Sequence, residues 1–317
     1  MASLACATSA IAAEAPAASA PSSGSAGAVA APVESTAVAQ LPMLPPNAQA
    51  TALGAYDTSS AIQPYVSANG AHMVWTVSDG SKKVMVVDGK QGPPYDNVAF
   101  AGFSPDGMRT AYAALTGTKW AMVIDGQASG AYDQVWTLYF SPDGKHVAYA
   151  ARSGNKWFTV VDGQAGPAYE AVTASSWSGD SSRIAYGAQQ NGKWTMYADN
   201  AAGAFLYDGV SIVTWSGDSK RMAWSGQLGN RRAEVIDGKP DPAYDTVYDA
   251  VFSVDSKRIA YLSSNAGKWL MNLDSMPGME FDQLMSTTPK FDAGDVLEFV
   301  AIKDKMLYRI RSTPPKE

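Results

Sequence analysis

From residue 66 onward the chain alternates short apolar-rich runs with polar turn segments, and the alternation itself repeats. The segment FSPDGMRTAYAALTGTKWAMVIDG, which starts at Phe103, returns as FSPDGKHVAYAARSGNKWFTVVDG from Phe140. The residues that open the copies are Val66, Phe103, Phe140, Trp177, Trp215, Phe252 and Phe291, in steps of 37, 37, 37, 38, 37 and 39 residues. A period this constant marks a stacked repeat. Most copies then turn, as at Ser104-Pro105-Asp106-Gly107 and Ser178-Gly179-Asp180-Ser181, where Pro, Asp and Gly supply turn angles and side-chain caps. A pair ending in an aromatic follows: Val74-Trp75, Ala111-Tyr112, Ala148-Tyr149, Ala185-Tyr186, Ala223-Trp224, Ala260-Tyr261 and Glu298-Phe299. Next come a Gly/Asn hairpin, a β-rich run often begun by Lys-Trp and closed by Asp-Gly, and finally Tyr-Asp or its like. Each copy therefore reads as four short strands joined by tight turns.

Seven such units predict an all-β fold, a seven-bladed β-propeller of four-stranded blades, because a small sheet buries its faces only by stacking on its neighbours. The seventh copy stops at KMLYRIRS, after its third strand, while GAYD at 54–57 repeats GAYD at 130–133. The N-terminal strand is therefore expected to form the outer strand of the last blade and close the ring, with the propeller spanning 51–317. Residues 21–50 are rich in Ala, Pro and Ser and read as a disordered linker. Residues 1–20 resemble the back half of a secretory signal peptide, with small-residue patterns at Ala10-Ile11-Ala12 and Ala18-Ser19-Ala20, and the absent basic start is read either as truncation or as a wrongly assigned first Met. Cys6 after SLA loosely follows a lipobox, but Ser3 stands where that pattern wants Leu, and a chance cysteine is the preferred reading.

The FSPDG…AY turn-and-strand pattern resembles the WD40-like repeats of TolB-type propellers, over nearly everything from Gly54 to the C-terminus. That resemblance implies a bacterial envelope or secreted setting and a role in protein contacts. Related propellers also guard the catalytic domain of prolyl-oligopeptidase-like peptidases. The chain departs from both: it has no room for the α/β domain that precedes the TolB propeller, and no G-x-S-x-G elbow followed by a hydrolase domain. The repeat speaks for a fold rather than an activity.

Two sets of charges recur. Lys82, Lys119, Lys156, Lys193, Arg231 and Lys268 start the third strands, and Asp96, Asp133, Glu170, Asp208, Asp245 and Asp282 end the fourth. A hairpin turning near Gly126 sets Lys119 across from Asp133 and Trp120 across from Tyr132, so these are expected to be cross-strand pairs. The aromatics then share one face of the blade and the charges the other. Each buried ring removes about 150–250 Å² from water, so packing outweighs a ligand cage as the role of the Trp and Tyr set. The lone recurring Asp of the SPDG turn is too few oxygens for calcium and is expected to cap its turn.

Composition narrows the function classes. A net charge of -6 without a basic block argues against nucleic acid and polybasic membrane anchoring. No apolar run is long enough to span a bilayer. One cysteine excludes an intramolecular disulfide, and two histidines, His72 and His146, leave zinc and Ser-His-Asp chemistry short of partners. His146 is expected to be an ordinary surface residue. Neither a cofactor, a metal nor a catalytic residue is assigned. The places that break the repeat are the candidates for a contact surface: Trp136 and Tyr139 before the third copy, Tyr248 and Asp249 before the sixth, and the stretch 198–205, where Asp-Gly becomes Asp199-Asn200. The expectation is a secreted or periplasmic, monomeric, non-catalytic scaffold for a protein or cell-envelope component. The alternative is a propeller hydrolase or lyase acting on polysaccharide with acids at the channel mouth.

Overall fold

The computed structural model describes residues 63–285 and 289–313, and every regular element in them is a β-strand. The chain divides into two compact units, Glu14–Val135 and Trp136–Glu317. The first carries sheets 1 and 2, the second sheets 3 to 7, and the inner strand of sheet 3 starts just before the boundary. Each sheet is antiparallel and steps outward in chain order, as in sheet 2 with Asn97–Phe103, Thr110–Thr116, Lys119–Ile124 and Gln127–Ala128. The fold is all-β, and the seven repeated sheets are the blades of a seven-bladed propeller. In sheet 7 the described residues fill three of the four strand positions, ending with Met306–Ser312. The signal peptide read over 1–20, the linker read over 21–50 and the closing strand on Gly54–Asp57 lie outside the described residues.

The turn chemistry is local and repeats. Ser104 Oγ donates to Asp106 Oδ1 at 2.5 Å, the same oxygen accepts the Met108 N–H at 3.0 Å, and the Arg109 N–H returns to Ser104 Oγ at 2.9 Å. Asp143, Asp180, Asp218 and Asp255 accept from their own turn serines in the same way. The fourth turn residue has positive φ, 78° at Gly107 but 65° at Ser181, where a side chain costs conformational energy. Serine returns something there: Ser181 Oγ accepts the Asp143 N–H of the preceding sheet at 2.9 Å, and Ser219 and Ser256 do the same for Asp180 and Asp218.

The cross-strand pairs fall in the expected register. Trp120 bridges Tyr132, Trp157 bridges Tyr169 and Trp194 bridges Tyr207. Lys82–Asp96, Lys119–Asp133 and Lys193–Asp208 pair at 2.6, 2.6 and 2.5 Å, and Lys268 pairs with Asp282. The acids do more than that. The second oxygen of Asp96 accepts the Gly117 N–H at 2.7 Å, and that of Asp208 the Gly229 N–H at 2.7 Å, in each case on the hairpin of the next sheet. Asp245 and Asp282 reach Ala266 and Asp304 likewise, while Glu170 gives both oxygens to Asn191 and Gly192 with the Lys156 charge nearby. Arg231 departs from the series and donates to the Ala243 carbonyl. The charged rings are therefore clasps between consecutive sheets.

A second clasp was hidden in the sequence. Two residues before the second strand's first core position stand His72, Arg109, His146, Arg183, Arg221 and Arg258. They bind Asp88, Asp125, Asp162, Asp199, Asp237 and Asp274 at 2.6–3.3 Å. Those aspartates sit at φ near 50°, and Asp162 also accepts the Val147 N–H at 2.9 Å. The same side chain then lies on the opening aromatic of the next sheet, Arg183 at 4.8 Å from the Trp215 ring centre and the His146 ring stacked 5.6 Å from Trp177. His146 is thus no idle surface residue; it does what arginine does in sheets 4 to 6.

The inner strands differ from four continuous strands per unit. In sheets 4 to 6 each inner strand is two short pieces, such as Ala171–Val172 and Ser176–Trp177 on either side of residues 173–175. At the break a hydroxyl stands in for a backbone carbonyl: Thr173 Oγ1 accepts the Gly187 N–H and Ser211 Oγ accepts the Ser225 N–H, both at 2.8 Å. In sheets 4 and 5 the ladder thus bends with the Gly187 and Ser225 N–H groups still paired.

Candidate functional site

One contact between sheets breaks the repeat in its interior. The position in the third strand that holds Met85, Met122, Thr159, Met196 and Met271 in other sheets is Glu234 in sheet 5. Glu234 is 1 % exposed, and among the described residues its Oε2 has no hydrogen-bond partner. Seven residues on, where Gly92, Gly166 and Gly203 stand in other sheets, the outer segment has Asp241. Its N–H bonds the Glu234 carbonyl at 2.8 Å, and its Oδ2 accepts the Tyr261 hydroxyl of sheet 6 at 2.8 Å. Sheet 6 adds Asn272, in a column that holds Val86, Val123, Val160 and Val235. Asn272 accepts the Tyr244 hydroxyl at 3.2 Å and donates to Ser263 Oγ at 2.8 Å. Glu234, Asn272 and Ser263 are all buried.

The electrostatics follow from that placement. Burial, then the charge of Asp249, then that of Asp241 push the Glu234 carboxyl up to about 8. It therefore carries its proton at neutral pH. Burial and the bond to Asp241 hold the Tyr261 hydroxyl above the usual phenol range. A neutral acid among carboxylates, walled by the apolar cluster of Ile236, Val247, Ile259 and Leu270, is a polar core that two adjoining sheets build together.

The four candidate contact residues fall in two pairs. Trp136 lies half-buried on Trp157, ring centres 4.9 Å apart, and Tyr139 on the same inner strand is 42 % exposed. Tyr248 is 36 % exposed and rests on Trp269 at 5.5 Å, and Asp249 beside it is exposed. Among the described residues no hydrogen bond or ring contact joins the pair on sheet 3 to the pair on sheet 6. Asp249 is the member that reaches the polar core, through its charge on Glu234. Sequence reasoning missed Glu234, Asp241 and Asn272, although reading the copies column by column exposes Glu234 and Asp241 as the acids of columns otherwise filled by Met and Thr or by Gly and Ser, and Asn272 as the amide of a column of Val and Tyr.

The stretch 198–205 lines a cavity of about 330 Å³ between sheets 4 and 5, with Trp224, Met196 and Met222. The extra residue of the fourth copy swells out beside it as Phe205 and Leu206, both exposed. A second cavity, of about 470 Å³, is bounded by Met271, Met279, Phe281, Phe299, Tyr308 and Ile310. It lies beside Met306–Ser312, the edge of sheet 7 where the sequence places residues 54–57. Its apolar wall is what an outer strand of that sheet covers elsewhere, so we assign it no ligand.

No family model and no curated protein matches the chain. Solved structures similar to it include a eukaryotic initiation factor, at 15% identity over 77% of this chain and 72% of that one, with a TM-score of 0.45. The β-propeller domain of the Trilobed protease from Pyrococcus furiosus aligns at 10% identity over 80% and 94%, with a TM-score of 0.37. TolB from Acinetobacter baumannii aligns at 14% identity over 65% of this chain and 62% of that one, with a TM-score of 0.33. Among the described residues no helix is long and apolar enough to cross a membrane.

Proposed function

We propose that the protein is a TolB-like binding scaffold, secreted or periplasmic, that holds a protein or cell-envelope component without chemistry of its own. The observation that carries this reading is the pair of exposed rings on inner strands, Tyr139 and Tyr248. The aromatics of the repeat, such as Tyr149, Tyr186 and Tyr261, are spent inside the sheets. Two that face solvent from a rigid frame offer amphipathic area at little entropic cost, which is what contact surfaces use. The export setting is supported by the small-residue patterns in 1–20 and by the FSPDG repeat. A monomer is the state we expect of the scaffold.

The polysaccharide hydrolase reading has one observation of its own. Glu234, protonated at neutral pH beside Asp249 and Asp241, has the split acidity of a general acid and its partner. Its burial favours the scaffold instead: at 1 % exposure the carboxyl is shielded from a glycosidic oxygen. The test is affinity capture from an envelope extract with the wild type, Tyr139→Ser and Tyr248→Ser as baits, beside turnover of a glycan panel. A partner held by the wild type and lost by both variants supports the scaffold. Identical capture by all three, or glycan turnover that Glu234→Gln abolishes, sinks it.

A further inference from the structure

The chain contains Asn-Gly twice, at Asn69-Gly70 and at Asn191-Gly192. In such a pair the glycine nitrogen, with no side chain beside it, is free to close on the amide carbon of the asparagine. Both asparagines are exposed, so access does not separate them. Their hydrogen bonds do. The Asn69 amide is engaged at both ends: Oδ1 accepts from Ser67 Oγ at 2.7 Å and from the Ala71 N–H at 2.9 Å, and Nδ2 donates to the Asp106 carbonyl at 2.8 Å. The Asn191 amide makes no hydrogen bond among the described residues, and a Cβ on Gly192 would meet nothing within 4 Å. What holds Asn191 is its backbone. Asn191 and Gly192 stand at φ 52° and 72° in the hairpin between Ile184–Gln190 and Lys193–Ala198. Glu170, at the end of sheet 3, accepts the Asn191 N–H at 3.0 Å and the Gly192 N–H at 2.9 Å. Those bonds hold the Glu170 carboxyl below its usual range, so it is ionised at neutral and alkaline pH. The nitrogen that attacks in such a reaction is the donor that this clasp occupies.

We propose that Asn191 is a deamidation site held in check by the Glu170 clasp, so that the joint between sheets 3 and 4 keeps a chemical record of its own opening. This goes beyond the scaffold reading and does not depend on it. The reaction begins when the turn opens locally and the Gly192 N–H leaves Glu170. The Gly192 nitrogen gives its proton to a base in solvent and attacks Asn191 Cγ. The N–Cγ bond forms, the Cγ–Nδ2 bond breaks, and the amide takes up a proton and leaves as ammonia. Water, the only co-reactant, then opens the resulting succinimide at either carbonyl and leaves aspartate or isoaspartate at that position. Either product puts a second negative charge on the turn that Glu170 grips. Isoaspartate also adds a methylene to the backbone of a two-residue turn whose geometry sets the strand register.

The experiment ages the full chain at pH 6 and at pH 8 in heavy-oxygen water, digests it, and reads both Asn-Gly peptides by mass spectrometry. In the wild type the Asn191 peptide is expected to take up one solvent oxygen and lose ammonia, faster at pH 8, while the Asn69 peptide stays intact. Glu170→Gln turns two charge-assisted bonds into neutral ones, and the rate at Asn191 rises about tenfold. The Asn69 peptide remains intact in that variant, which separates local opening from loss of the whole fold. Glu170→Asp, which keeps the charge and shortens the reach, falls between the two. Asn69 modified as fast as Asn191 in the wild type, a wild-type rate at Asn191 in both Glu170 variants, or no heavy oxygen at Asn191 in any of the three proteins overturns the proposal. So does an equal rise at both peptides in Glu170→Gln together with a wild-type rate in Glu170→Asp.

Discussion

The contact between sheets 1 and 2 and that between sheets 5 and 6 are built from the same three repeat positions, filled in opposite ways. In the first, Met85 and Tyr112 are buried, and Gly92 lets the tyrosine come close: a Cβ there would lie 3.3 Å from the Tyr112 oxygen. In the second, Glu234 takes the methionine's place and Asp241 the glycine's, and Tyr261 now donates to a carboxylate. The backbone register is the same, so the frame does not require the polar set. A buried carboxyl, Glu234, is tolerated there at a cost in stability, and the charges of Asp249 and Asp241 act on it.

Several measurements break or sharpen this contrast, taken from the largest expected effect to the smallest. Met85→Glu puts an acid into the apolar version of the contact without Asp241's hydrogen-bonded setting, and is expected to destabilise by about 4 kcal/mol at pH 8. A loss under about 1 kcal/mol in urea unfolding would show that the first contact is as permissive as the second. The reverse change, Glu234→Met, is expected to stabilise. The folded-state value of Glu234, about 8, is raised above its ordinary 4.5. Stability is therefore greatest below the unfolded value and is lost as pH rises through 8. The ceiling of that loss is about 5 kcal/mol, and relaxation of the site leaves roughly 3 kcal/mol to be regained at pH 8. Urea midpoints at pH 5, 7 and 9 check this; a gain that does not grow with pH contradicts it.

Tyr261→Phe removes the donor to Asp241 and is expected to cost about 1–2 kcal/mol. Adding Asp241→Gly should restore most of it, because the double variant recreates the glycine-lined contact; additive losses in the double-mutant cycle would mean the two groups are not coupled. The smallest effect concerns the turns. The Ser178 hydroxyl, then the Ser182 N–H, hold Asp180 at about 2, below its ordinary 3.8. Its contribution is complete above pH 4 and disappears as pH falls through 2, so Asp180→Asn should flatten the acid limb of thermal stability. An unchanged slope between pH 4 and pH 2 contradicts that assignment.

Much of the frame was legible because it is local. The 37-residue spacing, the turn Asp caps and the Trp120–Tyr132 and Lys119–Asp133 registers all follow from strand alternation and hairpin length. What escaped were contacts that need a neighbouring sheet. Nothing in the chain near Asp96 says that its second oxygen takes the Gly117 N–H, and nothing near Arg183 says that it lies on Trp215. The split inner strands escaped too, since Thr173 and Ser211 substitute for carbonyls only once the ladder has bent. Glu234 was the most available of the missed residues: one acid in a column of Met and Thr is a signal that the repeat itself provides.

The fourth copy carries one residue more than its neighbours, and the chain spends it between Gly203 and Tyr207, on the outer rim. Tyr207 still bridges Trp194, and Asp208 still grips Lys193 and Gly229. Length is thus absorbed where no sheet depends on it. The bend at Phe205 and Leu206 is accordingly a natural splice point, where an epitope, a fluorophore tag or a foreign loop can be grafted while the clasps on either side keep their grip.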